Sequence, residues 1–106
     1  MIHYSITATV EDALIERFEE YMAKTHIPDV LASGKFVGAA MSQARPGLYR
    51  MEYIARTQSD LDSYLAQDAE ALRQDYIDHF PSGTSVTREV WTDIERWDTG
   101  GSETFG

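Results

Sequence analysis

Apolar and polar residues alternate at the start of the chain, from Ile2 to Val10. The even-numbered positions are apolar or aromatic, and the odd-numbered ones between them are His, Ser and Thr. A period of two is typical of a β-strand with one buried face. The second face has no Asp, Glu, Lys or Arg, so it tolerates partial burial better than a charged face would.

A helix is predicted next, because Glu11 and Asp12 suit the positive N-terminal end of a helix. Apolar and aromatic side chains then recur at helical spacing, at Leu14, Phe18, Tyr21 and Met22. We expect this helix to end near His26, because the residue before Pro28 avoids the helical conformation. A short second helical segment over residues 28–33 fits Pro28 at its first position and Gly34 just past its end.

The middle of the chain predicts a β-hairpin. Residues 35–43 and 48–56 have the composition and alternation of strands, and the turn residues 44–47 separate them. In the second of these strands, Tyr49, Met51 and Tyr53 share one face. We therefore expect these aromatic and thioether side chains to face the core.

The last predicted elements are a helix and a strand. Ser59 and Asp60 are typical of a helix N-terminus, and residues 84–91 alternate like a strand. The helix between them has an apolar stripe at Leu61, Leu65, Ala69, Leu72 and Tyr76. Continued at about 100° per residue, this stripe places His79 inward and Phe80 at its edge.

The predicted order is βαββαβ, with a short extra helix after the first. This order is the split βαβ or ferredoxin-like arrangement, an α+β fold whose four-stranded antiparallel sheet carries helices on one face. We expect one domain over residues 1–97 and a flexible polar tail over residues 98–106. The other face of the sheet must meet either solvent or a second subunit.

Composition excludes several classes of function. The 106 residues include 9 Lys and Arg against 18 Asp and Glu, a formal charge of −9. Such a surface disfavours nucleic-acid and anionic membrane partners, because both are bound mainly through cations. The chain has no Cys, which excludes disulfides, thiolate metal sites and a Cys nucleophile. We found no targeting segment and no apolar stretch of membrane-spanning length, and expect a cytoplasmic protein.

Two stretches carry a resemblance to a known family. They are the segment His26–Phe36, with its His-x-Pro-acidic-aliphatic start and Ser-Gly-x-Phe end, and the region of residues 64–80 around Leu72-Arg73-x-Asp75. Over about residues 1–91 the chain resembles a small bacterial family of unknown function in the dimeric α/β-barrel superfamily of ferredoxin-like domains. The segment Trp91–Gly106 departs from the usual end of that family.

The resemblance implies a homodimer in which two sheets pack face to face into a closed barrel. The polar but uncharged face of the first strand would then be barrel interior. Relatives in this superfamily include cofactor-free monooxygenases that form quinones, haem-degrading enzymes, lactone isomerases and stress-responsive proteins. Because a fold does not fix a function, the resemblance names no reaction for this chain.

His26 is the first candidate for chemistry. An imidazole titrates near neutral pH and can act as a general base. The alternative is structural, a cap on the C-terminal carbonyls of the first helix. Arg73 is the second candidate, and it also has two interpretations. Its guanidinium can bind a ligand carboxylate through two hydrogen bonds. Alternatively, it can form an ion pair with Asp29, Asp75 or a carboxylate of a partner subunit.

His79 is predicted to be a hydrogen-bonded core residue, although with Asp75 it has the i,i+4 spacing of two metal ligands. No third ligand is evident, so we expect no metal. We also expect no cofactor, since the sequence has no glycine-rich phosphate loop and no dinucleotide fingerprint. On the second sheet face, His3 is expected near Glu52 or Arg50, because the first and third strands are neighbours in this topology.

Tyr49, Tyr53 and Tyr76 are expected in the core, where their hydroxyls could also orient a planar aromatic ligand. The first functional hypothesis is therefore a homodimer that binds or transforms a small aromatic or polyketide-like metabolite. Its candidate ligand-binding residues are His26, Tyr49, Tyr53, Arg73, Tyr76 and His79, with His26 as the catalytic candidate. The second hypothesis is a non-enzymatic structural or regulatory module that meets a basic protein through its acidic surface.

Overall fold

A four-stranded antiparallel sheet forms one layer of the protein. The computed structural model describes residues 1–98, and residues 99–106, most of the predicted tail, lie outside the described part. The strands are β1 (Ile2–Val10), β2 (Gly38–Arg45), β3 (Leu48–Ala55) and β4 (Thr84–Thr92). Their order across the sheet is β2-β3-β1-β4, and each neighbouring pair is antiparallel. The predicted α+β ferredoxin-like fold is confirmed.

The helices pack on one face of this sheet: α1 (Ile15–Tyr21), α2 (Ile27–Ala32), α3 (Gln58–Gln67) and α4 (Ala69–His79). The alternation in the sequence predicts this face correctly. In β1, Tyr4 lies opposite Tyr53 of β3, and both are buried. The helices bring Phe18 and Leu61, both completely buried, against the same layer. One apolar core therefore lies between the sheet and the helices.

The short second helix expected over residues 28–33 is confirmed as α2, but the chain does not leave the helical conformation near His26 as expected. A short 3₁₀ turn over Asp12–Leu14 precedes α1, and a π-helical turn over Met22–His26 joins α1 directly to α2. Pro28 lies in the first turn of α2. Inside a regular helix its ring would clash with the carbonyl four residues earlier. We attribute the wide turn to the relief of this clash, which lets the chain stay helical up to Ala32.

The second helical arm, the segment between β3 and β4, consists of two helices, α3 and α4, where the sequence predicts one. Asp68 separates α3 from α4 and has non-ideal backbone angles, φ −118° and ψ −34°. The N-cap is Thr57, not Ser59: its hydroxyl accepts a hydrogen bond of 3.1 Å from the amide of Asp60. The stripe expected from the sequence holds at Leu61, Ala69, Leu72 and Tyr76 but not at Leu65. Leu65, expected inside, is 38% exposed.

The hairpin of β2 and β3 is confirmed with shifted bounds. Strand β2 begins at Gly38 instead of residue 35 and extends to Arg45, which leaves Pro46 and Gly47 as the turn. The start is delayed because Lys35 is held by the turn that follows α2. Its amide donates a hydrogen bond of 3.3 Å to the hydroxyl of Ser33, which itself donates to the carbonyl of Val30.

Candidate functional site

A cavity of about 450 Å³ lies between the sheet and the second helical arm. The helices leave the edge strand β4 partly uncovered: Val90, on its helix-facing side, is 48% exposed. The walls come from β1, β3 and β4 on one side and from α3, α4 and the π-helical turn on the other. Five aromatic side chains line it, namely Tyr4, Tyr53, Tyr64, Tyr76 and Phe80. Its volume is within the range of small-molecule sites.

The π-helical turn supplies two of the lining side chains, Met22 and His26. Widened helical turns of this kind occur frequently at functional sites. Nδ1 of His26 is buried and has no hydrogen-bond partner among residues 1–98. Burial lowers the pKa of His26, although the nearby carboxylates of Asp75 and Asp29 oppose this effect. The imidazole is therefore neutral at neutral pH, the form that can accept a proton or a hydrogen bond.

The hydroxyl of Tyr53 is the second buried polar atom of the cavity wall that lacks a partner in the described part of the chain. The side chain is 1% exposed, and burial raises its pKa far above the ordinary value. A buried hydroxyl without a partner has a free-energy cost of about 1–3 kcal/mol. Two such atoms in the walls of one cavity are consistent with a site where a ligand supplies the missing hydrogen bonds.

Hydrogen bonds hold two other polar side chains of the cavity, Arg73 and Tyr76, in place. Nη2 of Arg73 donates a hydrogen bond of 2.9 Å to the hydroxyl of Tyr4. The hydroxyl of Tyr76 donates one of 2.8 Å to Oγ1 of Thr84. Both bonds connect α4 to the sheet or to the start of β4, so they fix the distance between the two walls.

The structure brings four of the predicted ligand-binding residues together: His26, Tyr53, Arg73 and Tyr76 all line the cavity. Tyr49 does not join them. It is buried near Phe18, and its hydroxyl donates a hydrogen bond to the carboxylate of Glu19. Of the two tyrosines in β3, only Tyr53 therefore lines the cavity.

His79 is also outside the cavity lining, and the prediction that it points inward was wrong. Its side chain is 51% exposed in the last turn of α4, with Nδ1 2.9 Å from the carbonyl of Asp75 and the ring against Tyr21. Phe80, the next residue, is buried instead. The nearest carboxylate oxygen of Asp75 is 3.8 Å from His79. In the described part of the chain, no group of three or more His, Asp and Glu side chains is placed to hold a metal.

Arg88 of β4 lines the cavity as well and is not among the ligand-binding residues predicted from the sequence. A signal was present, because Arg88 alternates with Val86 and Val90 on the apolar side of its strand. A guanidinium at a predicted core position needs a reason, since Arg is rarely buried unless it is paired. Tyr4 and Tyr64 were missed as lining residues because sequence patterns cannot distinguish a packed core from a core that encloses a cavity.

The opposite sheet face carries a separate polar cluster. Nδ1 of His3 lies 2.7 Å from Glu52, as the strand neighbourhood predicts, and Nε2 lies 2.7 Å from Asp93. Ser5 beside it is only 7% exposed. Trp91 lies opposite His3 in the register and is 60% exposed. This face is therefore polar in β1 and β3 and presents a large aromatic surface in β4.

Residues 1–94 match the family described as a domain of unknown function, DUF4286, and the chain belongs to this family. No curated protein matches it. In the described part, no helix is long and apolar enough to cross a membrane.

Several solved structures share the fold at low sequence identity. SnoaB, a cofactor-independent oxygenase from Streptomyces nogalater, is 15% identical with a TM-score of 0.70, over 90% of this chain and 94% of SnoaB. A dimeric ferredoxin-like protein from an uncultured marine organism is 11% identical with a TM-score of 0.69, over 91% and 96% of the two chains. An ethyl tert-butyl ether D family protein from Bacillus halodurans is 13% identical with a TM-score of 0.69, over 89% and 100%. These likenesses concern the fold alone.

Proposed function

We propose that the protein binds a small planar aromatic metabolite in the cavity between the sheet and α4. The observation that carries this proposal is the composition of the cavity wall. Five aromatic rings surround a volume of about 450 Å³, and His26 and Tyr53 in the same wall each have a buried polar atom without a partner. Flat apolar walls with a few fixed polar groups are typical of sites for aromatic ligands.

Within this proposal, His26 is the group that can take a proton from the ligand. A phenol or another weak acid bound beside a neutral imidazole can transfer its proton to it, and this transfer would leave an electron-rich ring. The tyrosines of the site do not compete for this role at neutral pH. Burial raises the pKa of Tyr64 to about 12 and also raises that of Tyr76.

The fold comparison supports the same class of function. SnoaB, which shares the fold, is a cofactor-independent oxygenase. The proposal therefore extends from binding to catalysis: the protein would transform an aromatic or polyketide-like compound without a cofactor. In an oxygenation of this kind dioxygen is the oxidant and oxygen source, and the chain supplies His26 as the base that takes the proton of the ligand.

The proposal includes a homodimer joined through the open sheet face. A dimeric ferredoxin-like protein shares the fold, and the open face here has properties suited to burial. Ser5 is already buried there and His3 is hydrogen-bonded to Glu52, whereas Arg50 and Glu89 of the same face would need partners in the second subunit. Trp91 adds an exposed aromatic surface on the same face. Light scattering at micromolar concentration should give twice the chain mass, and a monomer mass would contradict the barrel.

Binding can be tested with a cavity-filling variant and 2-naphthol as the probe. Leu72 lines the cavity from α4, so Leu72→Trp places a large ring in the ligand volume. Leu65→Trp on the exposed side of α3 is the matched control. We expect calorimetric titration to show binding to the unmodified protein and to the control, and at least about tenfold weaker binding to Leu72→Trp, about 1.4 kcal/mol. Equal affinity of all three proteins for 2-naphthol would mean that the probe binds outside the cavity, which would contradict the proposal.

A further inference from the structure

We infer that the cavity selects an anionic ligand, an aromatic compound that carries a carboxylate held between Arg73 of α4 and Arg88 of β4. This inference rests on the proposed function and names the substrate class of the same site. Arg73 and Arg88 belong to opposite walls, one on the helical layer and one on the sheet, and both line the cavity.

The charge of the cavity wall is opposite to that of the protein. The chain carries a formal charge of −9, with 18 acidic side chains. None of the residues that line the cavity is acidic, whereas two are arginines and one is a histidine. An acidic surface repels anions in general, so a basic cavity within it is a local feature that favours one class of ligand.

The two guanidiniums act on the same part of the cavity. Both Arg73 and Arg88 lower the pKa of Tyr64, against the larger opposing effect of burial, and Arg88 does the same to that of Tyr76. A carboxylate placed beside Tyr64 would therefore meet two positive charges, one from each wall. Its aromatic part would then lie along the tyrosine rings deeper in the cavity.

Neither arginine has an acidic partner among residues 1–98, where no carboxylate oxygen lies within 4.0 Å of Arg73 or Arg88. Within the same range, Lys24, Lys35 and Arg96 each have one, whereas Arg17, Arg45, Arg50 and Arg56 lack one as well. Arg73 uses Nη2 to reach Tyr4 and keeps further N–H donors for a ligand. An arginine that is fixed by a neutral hydroxyl retains its full charge for an incoming carboxylate.

A carboxylate between two arginines forms short, charge-assisted hydrogen bonds, which are about twice as strong as neutral ones. A neutral group of the same shape would gain much less. The expected result is a preference of at least about tenfold for a carboxylate over its amide, about 1.4 kcal/mol. The preference should weaken as salt is raised, because both arginines are exposed to solvent at the cavity.

The test compares 2-naphthoate with 2-naphthamide, which differ in charge but hardly in shape. Calorimetric titration is carried out on the unmodified protein and on Arg73→Gln and Arg88→Gln. Arg56→Gln is the matched control, because Arg56 is exposed just after β3 and does not line the cavity. We expect each of the first two variants to reduce the preference for naphthoate several-fold, and the control to keep it.

The outcomes separate this inference from the proposed function. Equal affinity for naphthoate and naphthamide would overturn the anion selectivity and leave the aromatic cavity standing. A preference that survives in both Arg73→Gln and Arg88→Gln would also overturn the assignment. If neither compound binds and 2-naphthol also fails, the proposed function falls together with this inference.

Discussion

Nδ1 of His3 lies 2.7 Å from Oε1 of Glu52, across the boundary between β1 and β3. The other ring nitrogen lies 2.7 Å from Asp93, just after β4. A histidine between two carboxylates is stabilised in its protonated form. These hydrogen bonds, that of Glu52 first, raise the pKa of His3 above 6.5, although burial opposes them. The protonated His3 therefore connects β1 to β3 through Glu52, and β1 to the segment after β4 through Asp93.

His3 should therefore stabilise the protein most in mild acid. Because its pKa is raised on folding, its contribution is fully present below the unfolded value of 6.5 and is lost as the pH rises through the folded value. We expect His3→Gln to lower the free energy of unfolding by about 1 kcal/mol near pH 5.5 and by less near pH 8.5. Urea unfolding at both pH values, at one protein concentration, measures this difference.

Glu52→Gln is the matched variant for this prediction, since it keeps the shape of the carboxylate and removes its charge. It should reduce the same pH dependence. The hydrogen bond from His3 lowers the pKa of Asp93, so the contribution of that carboxylate disappears only in stronger acid, below about 3.8. If the stability of His3→Gln runs parallel to that of the unmodified protein from pH 5.5 to 8.5, the protonated cluster does not stabilise the fold.

His26 should have the opposite effect on pH dependence. Burial lowers its pKa, so the unfolded chain takes up a proton more readily than the folded protein does. The folded state therefore loses stability as the pH falls below the unfolded value of 6.5. We expect His26→Gln to lose less stability than the unmodified protein between about pH 7 and pH 5. A steeper loss in the variant would mean that His26 is protonated and paired in the folded protein.

The hydroxyl of Tyr53 should be dispensable for stability, since it is buried without a partner in the described residues. We expect Tyr53→Phe to leave the free energy of unfolding unchanged or to raise it by up to about 1 kcal/mol. Tyr76→Phe is the matched control, because the hydroxyl of Tyr76 donates to Thr84 and its loss should cost about 1 kcal/mol. Thermal unfolding of both variants measures the two changes in stability. An equal loss of stability in both variants would show that the hydroxyl of Tyr53 is hydrogen-bonded in solution.

Gly47 should not tolerate a side chain. It has φ +90°, and a Cβ there would lie 2.9 Å from the backbone carbonyl oxygen of Val10, which cannot move aside as a flexible side chain can. We expect Gly47→Ala to destabilise the fold by about 2–4 kcal/mol through backbone strain and overpacking. Gly34 also has a positive φ, +77°, but has open space around it. Gly34→Ala should therefore cost only about 1–2 kcal/mol, and denaturant unfolding that gives equal losses would contradict the packing argument.

Local patterns predicted the fold well because they report on residues that are neighbours in the chain. The alternation in β1 and β3 placed Tyr4 and Tyr53 on the core side, and the order of elements led to the sheet topology. The same reasoning was wrong in two places. The wide turn before Pro28 keeps the chain helical past His26, and His79 is exposed although Tyr76, in the same helix, packs against the core.

The candidate site was predictable only in part. His26, Tyr53, Arg73 and Tyr76 could be selected because each combines polar chemistry with a position near a predicted core. Tyr49 satisfied the same criteria, yet it packs near Phe18 and pairs with Glu19. Nothing in the alternation of β3 distinguishes Tyr49 from Tyr53. The difference arises from which helix covers each end of the strand.

By itself, the sequence determined the faces of the strands, the antiparallel order of the fold and the acidic surface, since periodicity and charge are properties of the chain. The tertiary structure alone decided that α4 and β4 enclose an open volume. It also decided that Arg73 of α4 and Arg88 of β4 both line that volume. The physical reason is that a cavity depends on how closely two layers pack, and this distance depends on contacts between side chains far apart in sequence.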